Sequence, residues 1–266
     1  MAETYDLIVI GMGVGGEEVA GRTATAGLKV LAVEKKLVGG ECPYWGCVPS
    51  KMMIRAGDTL AEAARVTGLA GGTQISSDWA PVAKRIRDQA TDNWNDKVAV
   101  ERHEKKGSTV IKGSARIVGP RAVEIDGDRY EATTGIVIAT GTEPAIPPVK
   151  GLDSVPYWTN RDAIETERVP ASMIVMGGGA VGLELAQVFH RFGSRVTVVE
   201  MADHLLPSEE PENGAAIQEA LTEEGIEVHT GVGAKGVSSS TGGIEMTLGD
   251  GRTLRSERLL VATGRK

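Results

Sequence analysis

The sequence predicts an α/β fold built from two copies of one strand–loop–helix–strand unit. Three observations carry that expectation. The pattern G-x-G-x-x-G occurs at Gly11-Gly13-Gly16 and again at Gly177-Gly179-Gly182, each time between an apolar strand-like run and a helix-like one. An acid closes the next strand in both copies, Glu34 and Glu200, so that four marks repeat at a single offset of 166 residues. Glycine supplies 35 of the 266 residues while aromatics reach only 4 %. Such a chain has many tight turns and a core of small aliphatics, which suits alternating strands and helices better than an all-β sandwich.

The elements follow in order. Tyr5–Ile10 reads as the first strand, Glu17–Ala26 as a helix stopped by Gly27, and Lys29–Val33 as the second strand. The second copy repeats this with Met173–Met176, a helix presenting Leu183, Leu185, Val188 and Phe189 on one face and stopping at Gly193, and Val196–Val199. Asp126-Gly127 and Asp250-Gly251 each separate two strand-like runs, as hairpin turns do. Ala139-Thr-Gly141 and Ala262-Thr-Gly264 each end an apolar strand, now at an offset of 123. The first copy therefore holds 43 additional residues (166 less 123), in a region of roughly Leu37–Lys106. That region contains both cysteines and helical patterns around Lys51–Arg65 and Trp79–Lys105. The Pro-rich stretch Pro144–Gly151 reads as a linker and divides the chain into residues 1–150 and 151–266.

A lone G-x-G-x-x-G is weak, but a strand before it, a helix after it and an acid at the end of the next strand mark a dinucleotide-binding unit. The first glycine permits the turn, the second lets a pyrophosphate approach the backbone, and the third lets helix and strand pack closely. The helix N-terminus offers N–H donors and a favourable dipole. Glu34 and Glu200 are then placed to accept hydrogen bonds from ribose hydroxyls. A carboxylate at Glu200, followed by Met201 and Ala202 rather than a cation, repels a 2′-phosphate, so NADH is expected over NADPH. Two dinucleotide sites in one chain imply hydride passing between a nicotinamide and a flavin.

Cys42 and Cys47 are five residues apart in Gly39-Gly-Glu-Cys-Pro-Tyr-Trp-Gly-Cys-Val-Pro-Ser-Lys51. A regular helix would hold them too far apart for a disulfide; an irregular turn at Gly46 would bring them together. At a helix N-terminus their thiolates would be stabilised. Three readings stand at this point: a redox pair, two inert buried cysteines, or metal ligands. The last is disfavoured because His103, His190, His204 and His229 lack ligand spacing, and no metal is expected.

These marks, in this order, resemble the pyridine nucleotide–disulfide oxidoreductases, the flavoprotein family of dihydrolipoamide dehydrogenase, glutathione reductase and mercuric reductase. GMGVGG with Glu34, GGECPYWGCVPSK, IVIATG, VMGGGAVGLELA with Glu200, and LLVATGR cover nearly the whole chain. The fold expected is then α/β with two Rossmann-like FAD/NAD(P)-binding units and antiparallel β-meander insertions. The resemblance implies FAD on residues 1–150, at Gly11, Gly13, Gly16 and Glu34, and NAD(H) on 151–266, at Gly177, Gly179, Gly182 and Glu200. Gly141 and Gly264, which close the two Ala-Thr-Gly marks, are the remaining cofactor-binding candidates. It implies Cys47 as the thiol against the flavin and Cys42 as the thiol that meets substrate. Lys51 would stand near the reacting ring of the flavin, paired with Glu184 in a buried ion pair. The implied activity is electron transfer between NAD(H) and a small-molecule disulfide or other acceptor.

The chain departs from the family pattern at two places. Pro43, Tyr44 and Trp45 put two aromatics between the cysteines, where they either narrow access for a bulky disulfide or simply pack the loop. Ala180 stands where some relatives carry a bulky residue that gates the nicotinamide pocket. The resemblance also implies a later Gly-Asp segment at the flavin, and a domain that forms a homodimer and brings a His–Glu pair. Neither falls within these 266 residues, so the chain is expected to represent the first two domains. Two rival readings follow: a non-catalytic nucleotide-binding fragment, or an NADH diaphorase passing electrons to quinones or metal ions without the thiols. A net charge of −7 argues against nucleic acid or an anionic membrane as partner. With no apolar run near the ~18–20 residues of a membrane helix, two cysteines and an acidic N-terminus, a cytoplasmic setting is expected.

Overall fold

A computed structural model describes residues 3–266. In chain order the elements are β1 (Glu3–Ile10), α1 (Val14–Thr25), β2 (Val30–Glu34), α2 (Glu41–Trp45), α3 (Cys47–Leu69) and α4 (Ala80–Arg85). A π-helical turn (Ile86–Ala90) follows, then α5 (Lys97–Lys105), β3 (Ser108–Lys112), β4 (Ala115–Gly119), β5 (Ala122–Ile125) and β6 (Asp128–Ile138). Next come a 3-10 turn (Leu152–Ser154), α6 (Asn160–Glu165), β7 (Ser172–Met176), α7 (Ala180–Arg191), β8 (Arg195–Val199), α8 (Pro211–Glu224) and β9 (Glu227–His229). The last strands are β10 (Ala234–Ser240), β11 (Gly243–Leu248), β12 (Thr253–Ser256) and β13 (Arg258–Val261). Two compact units result: the residues up to Val48 with Arg87–Thr142, and Pro49–Ile86 with Glu143–Lys266.

In the first unit one sheet runs β3-β2-β1-β6-β5-β4. Its β3, β2, β1 and β6 are parallel, while β4, β5 and β6 form an antiparallel meander. The sheet's parallel part is apolar on both faces. Ile8, Leu31 and Val33 pack with the meander residues Val123 and Ile125 on one side, and Val9, Val30 and Ala32 with Met12, Ala20 and Ala24 on the other. Burying each of the Val, Ile, Leu and Met side chains contributes about 1.5–3 kcal/mol.

The second unit separates the same parts. Its parallel sheet runs β13-β7-β8-β9, and its meander, β10-β11-β12, is a sheet of its own. The difference lies at Glu257. In the first unit β6 runs eleven residues without a break and serves both parts. In the second, the Glu257 carboxylate accepts the Ala171 N–H at 2.8 Å and pairs with Arg168, and the strand is interrupted there. One core of Ile174, Met176, Leu259 and Val261 with Val237, Ile244, Met246 and Leu248 joins the two sheets.

The repeat is visible in the helix stops. At α1, Gly27 (φ +95°) donates to Ala24 and Leu28 to Thr23. At α7, Gly193 (φ +98°) donates to His190 and Ser194 to Phe189. Both are the paired bonds of a left-handed glycine stop.

The structure adds detail to three of the sequence expectations. The pattern over Trp79–Lys105 is not one helix. It breaks after the π-helical turn at Asp92, Asn93 and Trp94, whose φ values of +48°, +55° and +55° are left-handed; Asp and Asn tolerate that region. The helix read around Lys51–Arg65 is longer, Cys47–Leu69. Pro144–Gly151 is not a free linker. Ala145 donates to the Gly264 carbonyl and Val237 to the Lys150 carbonyl, which fasten it into the second unit, and residues 49–86 also belong to that unit. Among the described residues no helix is long and apolar enough to cross a membrane.

Candidate functional site

The six glycines of the two loops divide by what a side chain would meet there. The first of each set is left-handed, Gly11 at φ +93° and Gly177 at +112°, and a Cβ would lie 2.4 Å from the carbonyl oxygen of Ala139 or Ala262. The third of each set packs under the first: a Cβ on Gly16 would lie 1.8 Å from the Gly11 oxygen, and one on Gly182 would lie 2.4 Å from the Gly177 oxygen. These four are required by the fold itself. The middle ones are not. A Cβ on Gly13 would meet nothing nearer than 3.9 Å, and one on Gly179 nothing within 4 Å. Their φ angles of −74° and −81° suit any residue. Gly13 and Gly179 cap α1 and α7 without a side-chain hydrogen bond, which leaves the first-turn N–H groups facing outward.

Glu34 and Glu200 do something the sequence did not disclose. Glu34 accepts the Met12 N–H at 2.7 Å and the Lys36 N–H at 2.6 Å, one on each carboxylate oxygen. Glu200 accepts the Gly178 N–H at 2.6 Å and the Ala202 N–H at 2.7 Å in the same way. Each carboxylate therefore ties the middle of its glycine loop to the residues after its strand. A carboxylate has about four acceptor sites, so capacity remains for sugar hydroxyls. Gly178 is also needed for packing, because a Cβ there would lie 2.7 Å from Leu205. Gly141 (φ +65°) and Gly264 (φ +109°) have open space around them but a backbone that favours glycine.

The cysteines lie on two helices that meet at a break. Cys42 is in α2, Cys47 opens α3, and Gly46 stands between them. A Cβ on Gly46 would lie 3.2 Å from the Glu41 oxygen and 3.3 Å from the Cys42 Cα, so a side chain there would press on the preceding turn. Both cysteines are thiols, Cys42 half-buried and Cys47 exposed. Burial first, then its hydrogen bond with Cys47, pushes the Cys42 thiol up from its ordinary value. That direction opposes the stabilised thiolate expected for Cys42. Among the described residues no cluster of three or more His, Cys, Asp or Glu side chains suits a metal.

Tyr44 packs the loop: it is buried, and its hydroxyl donates to the Val38 carbonyl at 3.0 Å. Burial and the nearby Asp96 carboxylate push its phenol up to about 12. Trp45 lies beside it, ring centroids 5.9 Å apart.

Within the second unit Lys51 and Glu184 do pair, Nζ to Oε1 at 2.6 Å. The pair is not buried: its side chains are 59 % and 41 % exposed. Two turns of α3 later, Asp58 meets Arg191 of α7, which also grips Glu224 of α8 through two nitrogens at 2.7 and 2.9 Å. Gly57 leaves room for the Arg191 stem. Neither this cluster nor the stack of Trp79 on Phe189 at 5.4 Å was legible in the sequence, since each joins residues far apart in the chain.

The family model of the pyridine nucleotide-disulphide oxidoreductases matches residues 5–266. The dihydrolipoyl dehydrogenase of Thermus scotoductus is 38 % identical over 273 residues, covering 99 % of this chain and 58 % of its own. The mercuric reductase of Bacillus cereus is 38 % identical over 269 residues, covering 98 % and 42 %. The HOCl-induced flavoprotein disulfide reductase RclA from Escherichia coli shares the fold, with a TM-score of 0.81 at 23 % identity over 98 % of this chain and 57 % of that one. The chain spans about half the length of the curated relatives it matches. On the match across residues 5–266, the chain belongs to the pyridine nucleotide-disulphide oxidoreductase family.

Proposed function

We propose that the chain binds FAD on the first unit and NAD(H) on the second, and serves electron transfer between NAD(H) and a disulfide or dithiol through the Cys42–Cys47 pair. The observation that carries this is the open middle glycine of each loop. Among the described residues no atom stands where a side chain on Gly13 or Gly179 would go, whereas a pyrophosphate lying on the backbone would occupy that space. The uncapped helix starts beside them fit the same charge. Bound FAD and NAD(H) would supply hydride and electron transfer, which side chains do not offer.

The chain's own residues have the following parts. Gly11, Gly13 and Gly16 would hold one pyrophosphate and Gly177, Gly179 and Gly182 the other. Glu34 and Glu200 would turn their remaining lone pairs to ribose hydroxyls while bracing the loops. Gly141 and Gly264 would keep the strand ends low beside them. Lys51 and Glu184 would fix charge near the nicotinamide. The Cys42 thiolate attacks one sulfur of a substrate disulfide and expels the other as a thiolate. Cys47 then attacks the Cys42 sulfur of the mixed disulfide and expels the second thiolate. Two electrons leave the cysteine pair as its disulfide forms, and its two protons go to the two product thiols. Burial that holds the Cys42 proton makes its release part of the first step.

The test is direct. The purified chain is expected to take up added FAD and turn yellow, and to oxidise NADH with both a dye and a disulfide as acceptor. Cys42→Ser should abolish disulfide turnover and spare the dye. A colourless chain that takes up no FAD, or equal loss of both activities in Cys42→Ser, overturns the assignment. Dye reduction with no disulfide turnover in the unaltered chain would establish a diaphorase instead.

A further inference from the structure

We propose that Trp94 is a positioning residue for the Cys42–Cys47 pair, acting through the Tyr44 carbonyl; the inference rests on the redox reading of those cysteines.

The argument begins with α2. A five-residue helix, Glu41–Trp45, leaves its last carbonyls without partners inside the helix. Gly46 ends it and Cys47 starts the next one. The Trp94 indole supplies a partner: its Nε1–H donates to the Tyr44 carbonyl at 3.3 Å. That carbonyl lies midway between the two cysteines in the chain.

The indole reaches it from an unusual backbone. Asp92, Asn93 and Trp94 are all left-handed, and a π-helical turn precedes them. For residues with a Cβ the left-handed form costs free energy, and a tryptophan there is rare. Bonds from the surrounding chain hold the turn: Asn93 N–H donates to the Arg87 carbonyl at 2.7 Å, and Asn95 N–H to that of Asp92 at 3.1 Å. Two residues on, Asp96 accepts the Val38 N–H at 2.7 Å and pairs with Lys112. Tyr44 in turn donates to Val38. One strained turn therefore grips the cysteine loop at two points, ahead of it at Val38 through Asp96 and within it at Tyr44 through Trp94. Strain of this kind persists where surrounding structure over-determines it, and it clusters at functional sites. The effect assigned to it is to hold Cys42 against Cys47, so that closing the disulfide requires little ordering.

The experiment uses the 266-residue chain and Trp94→Phe in glutathione redox buffers without oxygen. The equilibrium is protein dithiol plus glutathione disulfide going to protein disulfide plus two glutathiones, read by mass after alkylation. The expected result is an equilibrium constant about fivefold lower in Trp94→Phe, the size of one lost neutral hydrogen bond. The pH profile of Cys42 alkylation should also move toward that of an ordinary thiol as the loop loosens. An unchanged constant and an unchanged profile in a folded variant overturn the inference. If the unaltered chain forms no Cys42–Cys47 disulfide at any buffer ratio, the redox reading itself fails and takes the inference with it. Should Trp94→Phe not fold, β-(3-benzothienyl)alanine at position 94 keeps the fused-ring shape, lacks only the N–H, and is read the same way.

Discussion

Neighbouring glycines of the same loop should respond in opposite ways to one methyl group. Consider Gly16→Ala beside Gly13→Ala, and Gly182→Ala beside Gly179→Ala. On Gly16 the new Cβ would sit 1.8 Å from the Gly11 oxygen, so helix or loop must move by roughly 1 Å or more. Overpacking of this kind typically costs about 1–3 kcal/mol. At ~2–4 °C per kcal/mol for a chain of this size, the midpoint should fall by roughly 2–12 °C. On Gly13 the nearest atom is 3.9 Å away, so no overpacking is added, and exchanging an N-cap glycine for the poorer cap alanine costs roughly 0.5–1 kcal/mol. Its midpoint should fall by no more than about 4 °C. Binding should show the reverse emphasis: the methyl on Gly13 or Gly179 stands where a pyrophosphate would lie, and affinity for FAD or NADH respectively should fall more than about tenfold. Thermal unfolding followed by circular dichroism and titration calorimetry read the two quantities separately. If Gly179→Ala loses as much stability as Gly182→Ala, or binds NADH as tightly as the unaltered chain, the division of the glycines is wrong.

Three other outcomes are expected. Arg191 is 15 % exposed and grips Glu224 with two nitrogens and Asp58 with a third, so Arg191→Met should cost about 1–3 kcal/mol in chemical denaturation at neutral pH. Because that guanidinium holds the Glu224 carboxyl below its usual range, the contribution is present above the ordinary carboxylate pKa and lost as pH falls through the lowered one. The gap between variant and parent should therefore narrow on acidification, and a gap that widens would contradict the pairing. Alkylation of Cys42 should show a midpoint above the ordinary thiol value of about 8.5, because burial favours the protonated form; a midpoint below it would refute that direction. Steady-state assays should give a higher kcat/KM with NADH than with NADPH, since Glu200 repels a 2′-phosphate, and equal values would sink this.

The legible parts of the sequence were those whose demands are local. Gly11 and Gly177 betray themselves because a left-handed turn after a strand wants glycine. Asp126-Gly127 and Asp250-Gly251 mark their hairpins for the same reason, and the alternation of strand and helix follows from apolar runs that are themselves local. The helical pattern over Trp79–Lys105 does not show its break at Asp92–Trp94, because periodicity does not register three left-handed residues held by contacts elsewhere.

What the sequence determined by itself is the duplicated α/β unit, the glycine loops and the family. What only the tertiary structure decided is what those residues touch. Glu34 and Glu200 brace their loops through backbone N–H groups 22 residues away. Gly13 and Gly179 differ from the other glycines of their motifs in the empty space around them, with a backbone that any residue adopts. Lys51 meets Glu184 across 133 positions of chain, and on the surface rather than in the interior. Trp94 reaches the cysteine loop across 50. Patterns of residue type record each position's local conformation. Proximity, burial and open space arise only when distant segments pack, and the chemistry of the site depends on those.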